Sequence, residues 1–452
     1  MRFFAHGLGR AEDLPIPMEL AIAGAVAALT ISFTVLAVAW RTPRYDEATS
    51  GRPAAPLLTR VVDSRGFAIA ARTFGMVVFA FAAMCAVLGE DRLTNPFFGI
   101  FYVWWWVGLV PLSLLLGPVW KAISPVRTIN AAFAKLSGTD PDKGVFTYPE
   151  RLGYWPAAVG LFAFVWLELV YPYSTELGPV RLWCAAYVAL MLVGGALFGT
   201  AFYSRADPFE VYSTLVGKLS VWGRRPVEGD PDGPGHLVIR SPLANLDTVV
   251  VRPGLVAVVA VLFGSTAFDS FKGSTTWIRF IQTNETIRES ADLVEVANNL
   301  ALLAFCVGVG LVLAIGTMLT SVGPGLRRIQ LPDRFAHSIV PIIVGDIFAH
   351  YLTSLVEVGQ QTLIYASDPL SNGSDWFGTA DYKVNFWFTY HPTLLATIKV
   401  LAVIVGHVVG VIAAHERAVE LLPKKSQLTG QLPLLFAMIG FTAGGLWLLF
   451  ST

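Results

Sequence analysis

Residues 432–451 read LPLLFAMIGFTAGGLWLLFS, an apolar run that contains no charged side chain. A helix of about 20 such residues crosses the hydrocarbon core of a bilayer, which is roughly 30 Å thick. Because similar runs recur along the chain, the sequence predicts an all-α bundle of ten transmembrane helices in a single membrane domain, 1–452. The predicted spans lie near 19–40, 67–89, 100–119, 154–175, 181–203, 254–271, 294–319, 336–363, 394–418 and 432–451.

Basic residues are distributed unevenly between alternate loops. Of the 32 Lys and Arg residues, 22 lie in one set of loops, namely 41–66, 120–153, 204–253, 320–335 and 416–431. Only 8 lie in the N-terminal tail and the opposite loops. Since basic loops stay in the cytoplasm, both termini are predicted to lie outside. The same rule makes 204–253 the largest cytoplasmic loop and 364–393 a long outer loop.

Composition excludes some classes of function. The net charge is zero and no basic helix is visible, so the lipid bilayer is the expected partner and nucleic acid is not. The three cysteines, Cys85, Cys184 and Cys306, fall within predicted spans and are expected to be small buried hydrophobic residues. Common catalytic motifs and the phosphate-binding loop of ATPases are missing, which argues against ATP-driven transport by this chain alone. Nothing in the sequence sets the oligomeric state.

Polar residues recur in the eighth span, mostly three or four positions apart. Side chains with this spacing share one face of a helix. An ionisable group at the centre of a membrane helix costs about 2.5–3.5 kcal/mol on the insertion scale, so this stripe must face protein or water and is a candidate site. It consists of Asp346, His350, Thr353, Ser354, Glu357 and Gln361.

Two residues of other spans are predicted to reach the same depth. His407 lies between Gly406 and Gly410, which let another helix approach closely. At a rise of 1.5 Å per residue, His350 and His407 lie about 21 and 17 Å from the inner ends of their spans. Glu168 of the fourth span also lies about 21 Å up. We therefore predict one mid-membrane cluster of Glu168, Asp346, His350 and His407.

Such a cluster is compatible with several kinds of chemistry. Two imidazoles and two carboxylates suit a transition metal ion such as zinc or copper. They also suit a proton relay, because histidine titrates near neutral pH and a buried carboxyl group can be shifted towards that range. A bound metal that acidifies water would give a membrane hydrolase. Interhelical hydrogen bonds that only hold the bundle together are the structural alternative.

Weaker candidates lie outside this cluster. Glu357 and Gln361 stand below the outer loop 364–393, which carries Asp381 and His391 and is predicted to fold over the stripe as a lid. His6 would become a copper-chelating terminal histidine if the chain were cleaved after Ala5.

Arg72, Lys399 and His415 lie within about 8 Å of a span end, where a side chain can reach the interface. The segment near 209–222 is predicted to form an amphipathic helix on the inner leaflet.

Seven short strings carry a family resemblance: Ala5-His6-Gly7, Asp13-Leu14-Pro15-Ile16-Pro17, Ala349-His350-Tyr351, Gly378-Thr379-Ala380-Asp381-Tyr382, Gly406-His407-Val408, Gly430-Gln431-Leu432-Pro433 and Gly444-Gly445-Leu446-Trp447. The chain resembles, from end to end, a bacterial multi-pass membrane family in which some members are named fenitrothion hydrolase. The resemblance implies a location in the bacterial plasma membrane. It also implies hydrolysis of organophosphorus esters.

Three functions remain open at this point. The first is a transporter-like protein that handles a metal ion, protons or a small solute through Asp346, His350 and His407, with Glu168 in support. The second is a membrane-bound hydrolase of phosphoesters or phosphorothioates. The third is a scaffold or assembly factor for a membrane complex, which needs no buried site.

Overall fold

The computed structural model describes residues 11–47, 49–227, 235–320, 322–323 and 325–451. Within these ranges, eight helices are long and apolar enough to cross a membrane: Met18–Ala39, Arg65–Leu88, Leu177–Phe198, Leu255–Gly273, Ala291–Met318, Arg328–Tyr365, Pro392–Leu421 and Thr429–Phe450. The prediction of a helical multi-pass membrane protein is therefore confirmed.

The helices are numbered here in chain order. The first half of the chain forms α1 (Met18–Ala39), α2 (Pro56–Val62), α3 (Arg65–Leu88), α4 (Pro96–Phe98), α5 (Leu109–Leu116), α6 (Val119–Ile123), α7 (Pro125–Leu136), α8 (Trp155–Leu169), α9 (Leu177–Phe198), α10 (Thr200–Ala206) and α11 (Pro208–Gly217). The second half forms α12 (Pro242–Leu246), α13 (Leu255–Gly273), α14 (Thr275–Thr283), α15 (Glu285–Arg288), α16 (Ala291–Met318), α17 (Leu331–Phe335), α18 (Val340–Thr353), α19 (Gly359–Tyr365), α20 (Pro392–Leu421) and α21 (Leu432–Phe450). Two π-helical segments, Gly99–Val107 and Ser354–Val358, lead into α5 and α19.

Two of the ten predicted spans depart from a single straight helix. In the run 100–119 the chain bends by 41° between Val107 and Leu109. Pro111 explains the bend, because it has no N–H to donate to the Val107 carbonyl. The run 154–175 becomes the 15-residue helix α8, which ends at Leu169 because Pro172 cannot continue it.

Very close backbone packing joins α18 to α20. A Cβ added at Gly345 would lie 2.4 Å from the Ala402 carbonyl oxygen. One added at Gly406 would lie 2.6 Å from the Pro341 carbonyl oxygen, and one at Gly410 would lie 2.7 Å from that of Ser338. The prediction that the glycines around His407 admit a neighbouring helix is therefore confirmed.

The loops predicted to be cytoplasmic carry the only strands of the described chain. Here β1 (Arg52–Pro53), β2 (Trp222–Arg225) and β3 (His236–Ile239) form an antiparallel sheet in the order β1-β3-β2. The preceding helix α11 is buried along nearly its whole length. The prediction of a surface helix near 209–222 is therefore wrong. The Ser213 hydroxyl lies 2.8 Å from that of Ser113, and Gly217 packs against the backbone of Pro118, which draws α11 into the bundle.

The cysteines behave as predicted. Cys85 and Cys306 are buried, Cys184 is partly buried, and all three are free. A Cβ added at Gly264 of α13 would lie 2.6 Å from the Cα of Cys306, so this residue marks a close contact between α13 and α16. These cysteines are packing residues, as their position in apolar runs indicated.

Candidate functional site

A hydrogen-bonded cluster joins α18 to α13. His350 Nε2 lies 2.7 Å from Asp269 Oδ2, and the Tyr351 hydroxyl donates to the same oxygen at 2.9 Å. On the other side of the imidazole, the Ser270 hydroxyl lies 3.2 Å from His350 Nδ1. Since both ring nitrogens have partners, the orientation of the His350 ring is fixed. We name this group of four residues the histidine cluster.

An apolar cavity of about 400 Å³ lies beside the histidine cluster, between α13, α16, α18 and α21. His350, Ser270 and Asp346 line it together with mostly apolar side chains and four glycines. Asp346 Oδ2 is buried and has no hydrogen-bond partner among the described residues. Gly445 of α21 faces this carboxyl group, since a Cβ added there would lie 3.9 Å from Asp346 Oδ1. Of the polar residues that line the cavity in the described chain, Asp346 is thus the one with a buried oxygen that lacks a hydrogen-bond partner.

The mouth of the cavity lies between α16 and α21. These helices are close at Gly316, where an added Cβ would lie 3.5 Å from Leu434 and Ala437. At Gly308, Gly440 and Gly444, by contrast, no described atom outside the glycine's own helix backbone lies within 4 Å of an added Cβ. The missing side chains leave a gap between the two helices. Because α16 and α21 also expose large apolar side chains, this gap faces the lipid.

Glu168 lies near the histidine cluster but does not line the cavity. It is close enough to Asp269 for their charges to interact, and its Oε2 is buried without a hydrogen-bond partner among the described residues. The ammonium group of Lys272, at the end of α13, donates to the Leu169 carbonyl at the end of α8. This bond joins the two helix ends beside Glu168. Three members of the predicted cluster, Glu168, Asp346 and His350, therefore occupy one region.

His407 does not join that region. Its neighbour Gly406 contacts both Pro341 and Gly345, nine and five residues before His350 on α18, so the two histidines lie about 8–13 Å apart along the helix axis. His407 Nδ1 bonds instead to the Val403 carbonyl at 2.9 Å, and Nε2 has no partner in the described chain. The predicted matching depth of the histidines is therefore wrong. The prediction counted residues from span ends that hydropathy defines only approximately. Such ends do not determine which residues of α18 and α20 lie at the same level.

The predicted polar stripe is divided by the π-helical turn Ser354–Val358. A π turn holds more residues than an α-helical turn and so rotates whatever follows it. Within the turn, Glu357 accepts hydrogen bonds from the backbone and hydroxyl of Thr389, at 3.2 and 2.7 Å. Gln361 donates to the Tyr365 hydroxyl at 2.9 Å. Neither of these two residues lines the cavity.

The loop 364–393, which is predicted to be outer, contacts the end of the stripe that follows Ser354. Besides the Thr389–Glu357 bonds, Gln360 exchanges hydrogen bonds with the backbone of Asn385. Ser367 donates to Asp375, and this bond, with backbone N–H groups of Thr379 and Ala380, lowers the pKa of that carboxyl group. No residue of the loop lines the cavity. Its predicted role as a lid stays a prediction.

The remaining weaker candidate residues are not grouped with other metal-binding or catalytic side chains in the described part of the chain. Asp381 is exposed, and His391 is exposed with its ring stacked on Trp387 at 4.5 Å. His6 lies outside the described residues. Across the ranges that the structure covers, no three His, Cys, Asp or Glu side chains are arranged to hold a metal ion. The zinc or copper ion expected from the sequence therefore has no support in this geometry.

Asp269 was not among the residues predicted from the sequence. The sequence did contain a feature that could have identified it, because Asp269 is an acidic residue inside the predicted span 254–271. Its position near the outer end of that span, in the string Phe268-Asp269-Ser270, made it resemble an interfacial residue. Only the packing of α13 against α18 identifies it as the partner of His350.

Comparison of the chain with protein-family models, curated proteins and solved structures gives no match. The likeness to the fenitrothion hydrolase-like family therefore stays a prediction. Function is inferred below from the cavity and the histidine cluster alone.

A cysteine cross-linking experiment tests the position of His407. The pair Ile342→Cys and Gly410→Cys should form a disulfide, because a Cβ at Gly410 would lie 3.1 Å from Ile342 Cγ1. The pair His350→Cys and His407→Cys should not, because their Cα atoms lie beyond the roughly 7 Å limit. Oxidation in membranes and mobility on denaturing gels give the readout, with the three native cysteines replaced by alanine. Cross-linking of the histidine pair alone would contradict the register of α18 and α20.

Proposed function

We propose that this membrane protein binds a small, mostly apolar solute carrying a basic group in the cavity beside Asp346, and couples binding to proton exchange. The observation that carries the proposal is the unpaired Asp346 carboxyl group in an apolar cavity of about 400 Å³. A carboxylate in such surroundings is stabilised by a proton or by a cation, and a bound amine would supply the cation. Proton and solute would then exclude each other at Asp346.

The histidine cluster supports the proton part of the proposal. His350 stands one helical turn beyond Asp346 on α18 and lines the same cavity. It is bonded to Asp269, and Glu168 lies beyond Asp269. This order of hydrogen-bonding acidic and imidazole groups offers a proton on Asp346 a path away from the cavity.

The mouth between α16 and α21 supports the choice of solute. A solute that dissolves in the lipid would reach Asp346 through the gap at Gly308, Gly440 and Gly444 without crossing the loops. The apolar walls of the cavity then favour a solute that is mostly apolar, while Asp346 and His350 bind the polar end of that solute. Sites of this size with few polar groups are typical of small-molecule binding.

The solute hypothesis predicts binding of a fluorescent alkylamine, dansyl cadaverine, to the purified protein. Asp346→Asn should weaken this binding about tenfold, because the loss of one charge pair is worth roughly 1.4 kcal/mol. Gly444→Trp should abolish binding by filling the mouth. Fluorescence titration gives both affinities, and a pH indicator in weak buffer should report proton release on binding in the wild type only.

The matched control is Gly24→Trp. Gly24 is also a helix glycine with no atom within 4 Å of its Cβ position, but it belongs to α1 and does not line the cavity. Binding should be unchanged in this variant. Equal binding by wild type, Asp346→Asn and Gly444→Trp would refute the cavity as the site.

A second candidate, hydrolysis of apolar esters including organophosphorus esters, is favoured by one observation. Ser270, His350 and Asp269 are joined in the order nucleophile, base and acid, at 3.2 and 2.7 Å. In serine hydrolases this order lets the histidine take the serine proton during attack. Ser270 faces the cavity, where an ester from the lipid would arrive.

The hydrolase hypothesis predicts covalent labelling by a fluorophosphonate probe. Ser270→Ala should remove the label. Ser265→Ala should keep it, because Ser265 lies on the same helix but bonds only to the Leu262 carbonyl. Mass spectrometry of the labelled peptide is the measurement. An unlabelled wild-type protein would exclude the serine mechanism and leave solute binding unaffected.

We further propose ten spans with both termini outside, in a bacterial plasma membrane. The bent helix pair Pro96–Val107 and Leu109–Leu116 and the short helix Trp155–Leu169 supply the ninth and tenth crossings. In a variant without native cysteines, Asp381→Cys should react with a membrane-impermeant maleimide in intact cells. Lys143→Cys should react only after permeabilisation. The reverse pattern would invert the topology.

A further inference from the structure

Arg72 is an unusual arginine of α3. It is exposed, and it makes no ion pair or hydrogen bond with any residue in the described ranges. Its neighbours on the same helix, from Gly66 to Ala71, are apolar or glycine. Arg72 lies about 10 Å along the helix from Arg65, where a charge without a partner is costly if hydrocarbon surrounds it. A negatively charged group beyond the described residues is expected to neutralise Arg72.

A groove of about 500 Å³ runs along the face of α3 that carries Arg72. Arg72, Thr73 and Thr128 of α7 form its polar end. Ile69, Met76 and Ala80 form its apolar floor, spaced so that they share one helix face with Arg72. Ala80 lies about 12 Å beyond Arg72 along the axis. The groove thus combines one cationic end with a long apolar track.

The helix α7 indicates the depth of the polar end. A Cβ at Gly75 would lie within 1.8 Å of the Ile123 carbonyl oxygen, which places the start of α7 next to this part of α3. One side of α7 is buried through Val126 and Ala134, while Phe133 and Leu136 on the other side are 59% and 84% exposed. An amphipathic helix of this kind lies at a membrane interface. Arg72 therefore stands at the level of lipid headgroups.

We infer that this groove binds an anionic phospholipid of the inner leaflet, with its phosphate on Arg72 and an acyl chain along α3. A guanidinium group forms paired hydrogen bonds with phosphate oxygens, which an isolated ammonium group cannot match. Side chains of a helix lean towards its N-terminus, and α3 begins on the inner side beside the Arg224–Asp63 ion pair. The side chain of Arg72 thus leans towards the headgroups. This site is separate from the cavity beside Asp346.

The test compares phosphatidylglycerol with phosphatidylcholine added to the detergent-purified protein. Phosphatidylglycerol should raise the melting temperature more than phosphatidylcholine does, and native mass spectrometry should show it retained. Arg72→Gln should weaken phosphatidylglycerol binding about fivefold and remove the difference between the lipids. Arg72→Lys keeps the charge but not the planar guanidinium group, so it should keep part of the difference between the two lipids. This variant replaces Arg72→Gln in the comparison if Arg72→Gln does not fold.

Two control variants distinguish a lipid bound in the groove from a general effect of charge. Lys143→Gln removes a cation that is 84% exposed in an inner loop, and it should leave the lipid preference unchanged. Ala80→Trp blocks the apolar track and should weaken phosphatidylglycerol binding while Arg72 remains. An unchanged preference in Arg72→Gln would overturn the inference. Stabilisation by inorganic phosphate alone, to the same extent as by phosphatidylglycerol, would show a free-anion site and would overturn it as well.

Discussion

The position of the polar site depends on the contact between α18 and α20. Gly345, Gly406 and Gly410 bring the two backbones so close that no side chain fits between them. Because helical residues turn by about 100° each, Asp346 and His350 are rotated away from the glycine face of α18 and towards α13 and α21. A larger residue at Gly345 would push α18 outwards, at a cost of about 1–3 kcal/mol, and would displace both polar residues.

The same rotation explains why the buried polar groups differ in their partners. His350 meets Asp269, Tyr351 and Ser270 across the contact with α13. Asp346, one turn earlier, meets the glycines of α21 and finds no hydrogen-bond partner. An unsatisfied carboxyl group destabilises a folded membrane protein, so its retention at the edge of a cavity is informative. Hydrogen bonds that hold the bundle together explain why a histidine is present at position 350. They do not explain the aspartate at position 346, and for this reason we propose that the solute binds beside Asp346.

Much of the fold could be predicted from the sequence, and rather less of the site. Apolar runs mark the membrane helices because a helix satisfies its own backbone in lipid. Pro111 and Pro172 were visible as possible breaks, yet hydropathy averaged over about 20 residues hides a single missing hydrogen bond. Asp346 and His350 were recognised because their spacing follows the helix repeat. The prediction that His407 lies at the depth of His350 was wrong for a different reason. The relative axial position of two packed helices depends on which glycines contact each other, and a single sequence does not show this.

The π-helical turn Ser354–Val358 divides what the sequence presented as one stripe into two regions with different surroundings. Trp104, in the other π-helical segment, donates to the Gly359 carbonyl at 3.2 Å, and a Cβ at Gly99 would collide with Thr362. These contacts hold the part of the helix after the turn in a rotated position, and Glu357 within the turn anchors the loop 364–393 through Thr389. The part before the turn, with Asp346 and His350, remains directed at the cavity. The helix therefore fixes the loop 364–393 at its C-terminal end and presents two polar side chains to the cavity, and the extra residue of the π turn keeps the loop contacts separate from the cavity.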